Sequence, residues 1–328
     1  MLKNAIVFSL SANQELAQSI AEKLHVQLGQ RKVKRFPSGE IICEPSESVR
    51  GKDVFIIQST CPPVNENLME VLIFVDALKR ASAREINLII PYFGYARQDR
   101  KAMPRQPITA SLVANLLTTA GVHRVVTVNL HASQIQGFFS CLVDDLTAVP
   151  LIGHSVIEEH KDFSNAVVVS PDHGGVNRAR DLAEQFNCPI AIIDKRRNSN
   201  LEPEVMNIIG DVKGKECYVI DDMIDTGRSC VIAAQALRAA GAVSVHMMAI
   251  HAVFSDPCYD LFSAKPFDSV IVTDSIPLPE KFRAFDFIHV VTLSTMLAET
   301  VKRVECNEPL SEVYAAYADP SKVNPRSN

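Results

Sequence analysis

Apolar runs of about six residues alternate along the chain with longer stretches in which apolar side chains recur every three or four positions. The runs at 4–9, 53–59, 85–92 and 124–129 read as strands, and a shorter one at 33–36 leads into the turn Pro37-Ser38-Gly39-Glu40. Between them, 13–24 carries Leu16, Ile20 and Leu24 at helical spacing, and 67–81 and 108–119 read as helices as well. After Asp144 the order starts again, with helix 151–159, strand 166–170, helix 177–186, strand 189–194 and a charged loop over 195–206. An apolar strand then ends at Ile220, helix 231–240 follows with Ser229 near its N-cap, and strands 243–251, 269–273 and 289–293 precede a last helix at 295–303. Alternating strands and helices predict parallel α/β sheets with right-handed crossovers, in two architecturally similar halves without a residue-level repeat.

Length sharpens this to two domains of ordinary size, 1–148 and 149–304, with the tail 305–318 returning to the first. An apolar fraction of 47% beside 22% charged residues describes a well-cored globule. The net charge of −5 argues against a nucleic-acid partner, which needs a basic face. No apolar run has the length to cross a bilayer, and the opening segment is too short and polar for a signal peptide. Eight cysteines without a C-x-x-C pair point to reduced thiols in a cytoplasm rather than to disulfides or zinc.

The chemistry gathers where strands end. Asp221 and Asp222 close one strand, and the small-residue turn Asp225-Thr226-Gly227-Arg228-Ser229 leads into a helix. A loop at a helix N-terminus favours a phosphate, and carboxylates beside it suit the hydroxyls of a sugar phosphate. Arg97-Gln98-Asp99-Arg100-Lys101 lies in a long loop between aromatic residues (Tyr92, Phe93, Tyr95) and prolines, a combination suited to a nucleotide. His131 and Asp172 each follow a strand and together suit Mg²⁺ completed by water and phosphate oxygens. Asp194-Lys195-Arg196-Arg197 opens a loop whose cations suit phosphoryl transfer. No G-x-x-x-x-G-K-[ST] and no G-x-G-x-x-G after a strand is present, which excludes a P-loop kinase and a dinucleotide oxidoreductase.

Several segments together resemble one family: PYFGYARQDR (91–100), LHASQIQGFF (130–139), SPDHGG (170–175), DKRR (194–197) and IDDMIDTG (220–227). They identify the chain as similar to ribose-phosphate diphosphokinases, from about Ile6 to Ala316. The resemblance implies two phosphoribosyltransferase-like domains and transfer of pyrophosphate from Mg-ATP to the 1-hydroxyl of ribose 5-phosphate. It implies a homo-oligomer of dimers, usually a hexamer, with the nucleotide site shared between subunits. By position, Phe36, Ser38, Gly39, Glu40, Arg97 and Gln98 would contact ATP, and His131 and Asp172 would bind Mg²⁺. Lys195 and Arg197 would be the catalytic cations. Arg197, Asp221 and the loop Asp225, Thr226, Gly227, Arg228 and Ser229 would hold ribose 5-phosphate.

Departures from the family pattern fall at the site. Asn129 stands where Asp is usual, Ser38 where Asp or Asn is usual, and Arg228 and Ser229 where Gly and Thr are usual. If position 228 requires positive φ, Arg228 costs on the order of 1 kcal/mol or more. These changes open a second reading: a homologue that binds the ligands but turns over weakly and serves as a regulatory subunit.

Overall fold

A strand covered by helices on both faces must be apolar nearly throughout, and the strands at the middle of each sheet are. The structure is a computed structural model and describes residues 2, 4–196 and 205–313. Arg197 and the end of the tail, 314–318, lie outside the described residues. By contacts the chain forms two units, the first comprising 1–147, 275–277 and 292–313.

The first unit holds β1 (Ala5–Ser9), α1 (Gln14–Leu24), β2 (Arg31–Arg35), β3 (Ile41–Pro45), β4 (Asp53–Ile57), α2 (Val64–Arg80), β5 (Glu85–Ile90), α3 (Thr109–Ala120), β6 (Arg124–Val128) and β7 (Leu142–Leu146). Five of the strands make an all-parallel sheet in the order β1-β4-β5-β6-β7, and β2 and β3 pair as a separate antiparallel hairpin. Helix α1 shows how local signals and packing agree. Asn13 caps it by accepting from the Leu16 N–H, and the predicted stripe of Leu16, Ile20 and Leu24 is buried.

The second unit holds α4 (Val149–Glu159), β8 (Ala166–Ser170), α5 (Val176–Phe186), β9 (Ile190–Arg196), β10 (Val205–Ile209), β11 (Glu216–Ile224), α6 (Arg228–Ala239), β12 (Ser244–Ala252), α7 (Pro257–Ser263), β13 (Ser269–Thr273) and β14 (Ile288–Val291). Its sheet runs β10-β9-β8-β11-β12-β13-β14, parallel except for the antiparallel pair β9 and β10. The chain moves outward from β8 to β9 and β10, then returns to lay β11 on the other side of β8. That reversal leaves a crevice at the carboxyl ends of β8 and β11, the place where open α/β sheets bind ligands.

The α/β class with two parallel sheets is as predicted, and the differences have physical causes. The charged stretch 195–206 is not all loop: β9 extends through Arg196 and β10 starts at Val205, with Lys195 paired to Met206. Strand β11 does not stop at Ile220, because buried Met223 and Ile224 carry it past the two carboxylates. Helix α6 starts at Arg228 with Gly227 as its cap, two residues ahead of the expected Ser229. The last helix, α8 (Ser294–Cys306), packs against α1 and belongs to the first unit, whereas the sequence reading carries the second domain through 304.

Candidate active site

Strands β8 and β11 are adjacent and parallel, so the loops that leave them meet at one edge of the second sheet. After β8 the chain curls on itself: Ser170 Oγ donates to the Asp172 carbonyl at 2.6 Å, and the Gly175 N–H donates to Asp172 Oδ1 at 3.0 Å. A Cβ on Gly175 would stand 2.9 Å from Ser170 Oγ and 3.5 Å from Arg178 Nη1. The missing side chain leaves room for Ser170 Oγ, and the Arg178 guanidinium nearby donates to Asp221 Oδ1 at 3.2 Å. The same oxygen accepts the Asp222 N–H at 2.8 Å. Burial first, and the neighbouring Asp222 carboxylate second, push the Asp221 carboxyl up to about 7, while Arg178 pulls it the other way.

Beyond β11 the turn is fixed from below. Ser255 ties Asp225 twice, its hydroxyl donating to Asp225 Oδ1 and its N–H to the Asp225 carbonyl at 3.1 Å. Gly227 has φ +74°, and a Cβ there would lie 3.0 Å from Cys258 Sγ and 3.1 Å from the Phe262 ring. Only glycine meets both demands. Among the described residues, the N–H groups of Thr226, Gly227, Arg228 and Ser229 donate to no acceptor. They sit in the turn and first residues of the 12-residue α6, the arrangement that binds an anion.

In the first unit, β5 and β6 are likewise adjacent and parallel. The loop after β5 and the residues after β6 line a cavity of about 350 Å³ that includes Arg97, Gln98, Arg100, Gln106 and His131. Gln98 is held at both ends of its peptide, its N–H on the Tyr95 carbonyl at 2.9 Å and its carbonyl accepting Ala110 N–H at 3.2 Å. Thr109 donates to its side-chain oxygen. Asp145 on β7 accepts the Leu130 N–H at 3.0 Å and so fixes the chain just before His131. Burial raises the Asp145 carboxyl to about 6. Tyr92 and Phe93 are buried, Phe93 against Phe139 at 5.5 Å, so these rings serve the core and are not free to stack on a base. Phe36 is exposed in the β2–β3 turn with Lys34 Nζ 4.9 Å from its ring centre. Beside it Ser38 Oγ donates to Glu40 Oε2 at 2.7 Å, and Gly39 takes φ +91°.

Two family descriptions match the chain: the N-terminal domain of ribose phosphate pyrophosphokinase over 5–121 and the phosphoribosyl synthetase-associated domain over 197–315. A ribose-phosphate pyrophosphokinase of Fusobacterium nucleatum is 52% identical over 311 residues, 95% of this chain and 98% of that protein. The chain belongs to the ribose-phosphate pyrophosphokinase family. Ribose-phosphate pyrophosphokinase 1 of Listeria monocytogenes is 49% identical over 308 residues, 94% of this chain and 96% of the relative. The crystal structure of phosphoribosylpyrophosphate synthetase from Mycobacterium smegmatis superposes with a TM-score of 0.88 at 42% identity, covering 93% of this chain and all of that one.

Local geometry accommodates two of the departures, Arg228 and Asn129. The positive φ of the turn falls on Gly227, and Arg228 is the first residue of α6 with no positive φ, so the strain expected at 228 is absent. Asn129 has φ 45°, a conformation Asn tolerates well, and its side-chain amide donates to Thr147 Oγ1 at 3.4 Å. Lys195 lies on β9, and the catalytic-cation candidate Arg197 is outside the described residues. Among the described residues no group of three or more His, Cys, Asp or Glu is placed to hold a metal ion. Sequence reasoning missed Arg178. Its one signal was a cation in the first turn of a helix, where the dipole disfavours positive charge and a carboxylate partner is needed.

Proposed function

We propose that this pyrophosphokinase transfers the β,γ-pyrophosphoryl group of Mg-ATP to the 1-hydroxyl of ribose 5-phosphate, giving phosphoribosyl pyrophosphate and AMP. The observation that carries the assignment of the sugar-phosphate site is the set of four unpaired amides, 226–229, beside the Asp221 carboxyl. Amides without acceptors suit the 5-phosphate, and a carboxylate suits the ribose hydroxyls. On the first unit, Arg97 and Gln98 would meet the nucleotide phosphates, with Phe36, Ser38, Gly39 and Glu40 toward the base. Arg is suited to phosphate by its fork of donors.

The reaction is an attack of the sugar 1-hydroxyl oxygen on the β-phosphorus. The bond from that phosphorus to the α-bridging oxygen breaks, AMP leaves with the electron pair, and the hydroxyl gives up its proton. The protein contributes position and charge: the amide turn and Asp221 fix the sugar, and the cations Lys195 and Arg197 offset the negative charge that moves between oxygens. His131 and Asp172 are the ligands proposed for Mg²⁺. Both are exposed and each offers one donor, which fits an ion that takes the rest of its shell from water and phosphate oxygens. When bound, Mg²⁺ would neutralise charge on the nucleotide phosphates. A cytoplasmic homo-oligomer, dimer-based and hexameric, is included in this proposal on the strength of the family resemblance.

The test is AMP release from Mg-ATP that depends on ribose 5-phosphate. Well-folded protein that binds ribose 5-phosphate without releasing AMP would leave only the reading as a weakly active regulatory homologue. Unstrained Arg228 removes one motive for that reading, which also rests on Asn129 and Ser38.

A further inference from the structure

We propose that Arg178 is a positioning residue for the sugar, its guanidinium holding the Asp221 carboxyl group in the orientation that receives the ribose hydroxyls. The inference rests on the assignment of the β8–β11 crevice to ribose 5-phosphate and adds a residue outside the sequence motifs for that ligand. Its basis is geometric. Arg178 Nη1 and the Asp222 N–H both donate to Asp221 Oδ1, at 3.2 and 2.8 Å, which fixes the rotation of the carboxyl group; neither bond engages Oδ2. The two side chains are little exposed, 16% for Arg178 and 24% for Asp221, so water and salt screen the pair weakly.

The alternative partners are few. Asp222, next to Asp221 on β11, is a like charge when both are ionised and a side-chain hydrogen-bond partner when a proton lies between them; Ala249 stands opposite Asp221 on β12. Arg178 from α5 supplies the attraction that holds the carboxyl group in place. A Cβ at 175 would press on Ser170 Oγ at 2.9 Å and meet the guanidinium at an ordinary 3.5 Å, so the second glycine of the loop lets the turn after β8 close. Among the described residues the turn 226–229 makes no hydrogen bond to Arg178, and Asp225, which leads into it, has its own anchor on Ser255. Sugar and phosphate are thereby read by separable parts.

That separation gives the experiment. The full chain, Arg178→Gln and Arg178→Lys are titrated calorimetrically with ribose 5-phosphate and, separately, with inorganic phosphate. Arg178→Gln should weaken ribose 5-phosphate by about tenfold or more, the size of a lost charge-assisted hydrogen bond. Inorganic phosphate, held by the turn amides, should change by less than about twofold. Arg178→Lys, which keeps the charge but not the fork, should recover ribose 5-phosphate affinity at least in part. Unchanged ribose 5-phosphate affinity overturns the proposal, as does parallel loss of inorganic phosphate, the mark of a collapsed crevice. Failure of lysine to recover any affinity overturns it too, because the charge would then not be what acts. Binding needs no turnover, so a chain that released no AMP would sink the reading as a pyrophosphokinase and leave this measurement standing.

Discussion

In the second unit Asp221 is gripped by Arg178 and the Asp222 amide, Asp225 by Ser255, and Gly227 is wedged between Cys258 and Phe262. In the first unit Arg97 and Gln98 stand exposed on the stretch between β5 and α3, which has neither helix nor strand. Both regions use the same device, two adjacent parallel strands whose carboxyl-end loops meet. They differ in what happens next. The sugar-phosphate turn is short and braced by packing, so its amides are aimed before a ligand arrives. The stretch proposed for the nucleotide presents long, exposed cations, whose final positions would depend on the phosphates they meet. On the proposed assignment, loop length and packing would give rigid recognition of the small substrate and adaptable recognition of the large one.

The largest expected effect lies outside both regions. Lys195→Ala should lower kcat by about 10³ while KM for either substrate changes little, because its charge is needed during transfer. Loss of binding and turnover in equal measure would show that β9 serves recognition instead. Next comes the braced turn. Gly227→Val adds a side chain at φ +74° against Cys258 and Phe262 and should weaken ribose 5-phosphate by about 100-fold, with ATP affinity held within about threefold. Calorimetry with each ligand checks it, and equal loss of ATP would erase the contrast between the units.

For the exposed region, Arg97→Ala should raise KM for ATP by about tenfold, with KM for ribose 5-phosphate unchanged. Because Arg97 is exposed, the wild-type advantage should shrink as salt is added. An effect indifferent to salt would mean that this side chain becomes buried on binding. A pH series separates the regions again. Ionised Asp221 is the stronger acceptor for sugar hydroxyls, and its carboxyl is raised to about 7, so ribose 5-phosphate affinity should fall by up to about fivefold from pH 7 to 6. The linkage to stability has the other sense. A carboxyl that holds its proton more tightly folded than unfolded favours the fold at low pH, and loses that contribution as pH rises from about 4 through 7. Affinity constant between pH 7 and 6 would show that Asp221 stays charged.

What could be read from the sequence was whatever one strand or one helix decides alone. The buried strands β4, β5, β8 and β13 are continuous apolar runs, and their carboxyl ends could be located from the chain. β3, β7 and β10 were not foreseen, for β3 and β7 are short and largely half-exposed with acidic residues inside, and β10 lies beside the charged stretch at a sheet edge. The site followed the same rule. Asp172, Asp221 and the turn 225–229 are visible as motifs, whereas Arg178 acquires meaning only when α5 and β11 are neighbours. Tyr92 and Phe93 show the converse error: their composition matched a base-stacking loop, and the core claimed both rings.

Arg228→Gly gives the smallest effect and the sharpest reading of the turn. From the chain alone, restoring glycine at 228 promised relief of a strained backbone and tighter phosphate binding. The strain is absent, since Gly227 carries the left-handed residue and Arg228 opens α6 in helical conformation with an exposed side chain. Glycine would instead loosen the first turn of that helix, a loss of up to about 1 kcal/mol in stability. Ribose 5-phosphate affinity should then stay within about threefold of wild type, because the amides that face the phosphate belong to the main chain and remain. A gain well beyond that range would mean the guanidinium crowds the anion. A tenfold fall would make Arg228 a phosphate ligand in its own right, and the braced turn would owe part of its grip to a side chain as mobile as those of the first unit.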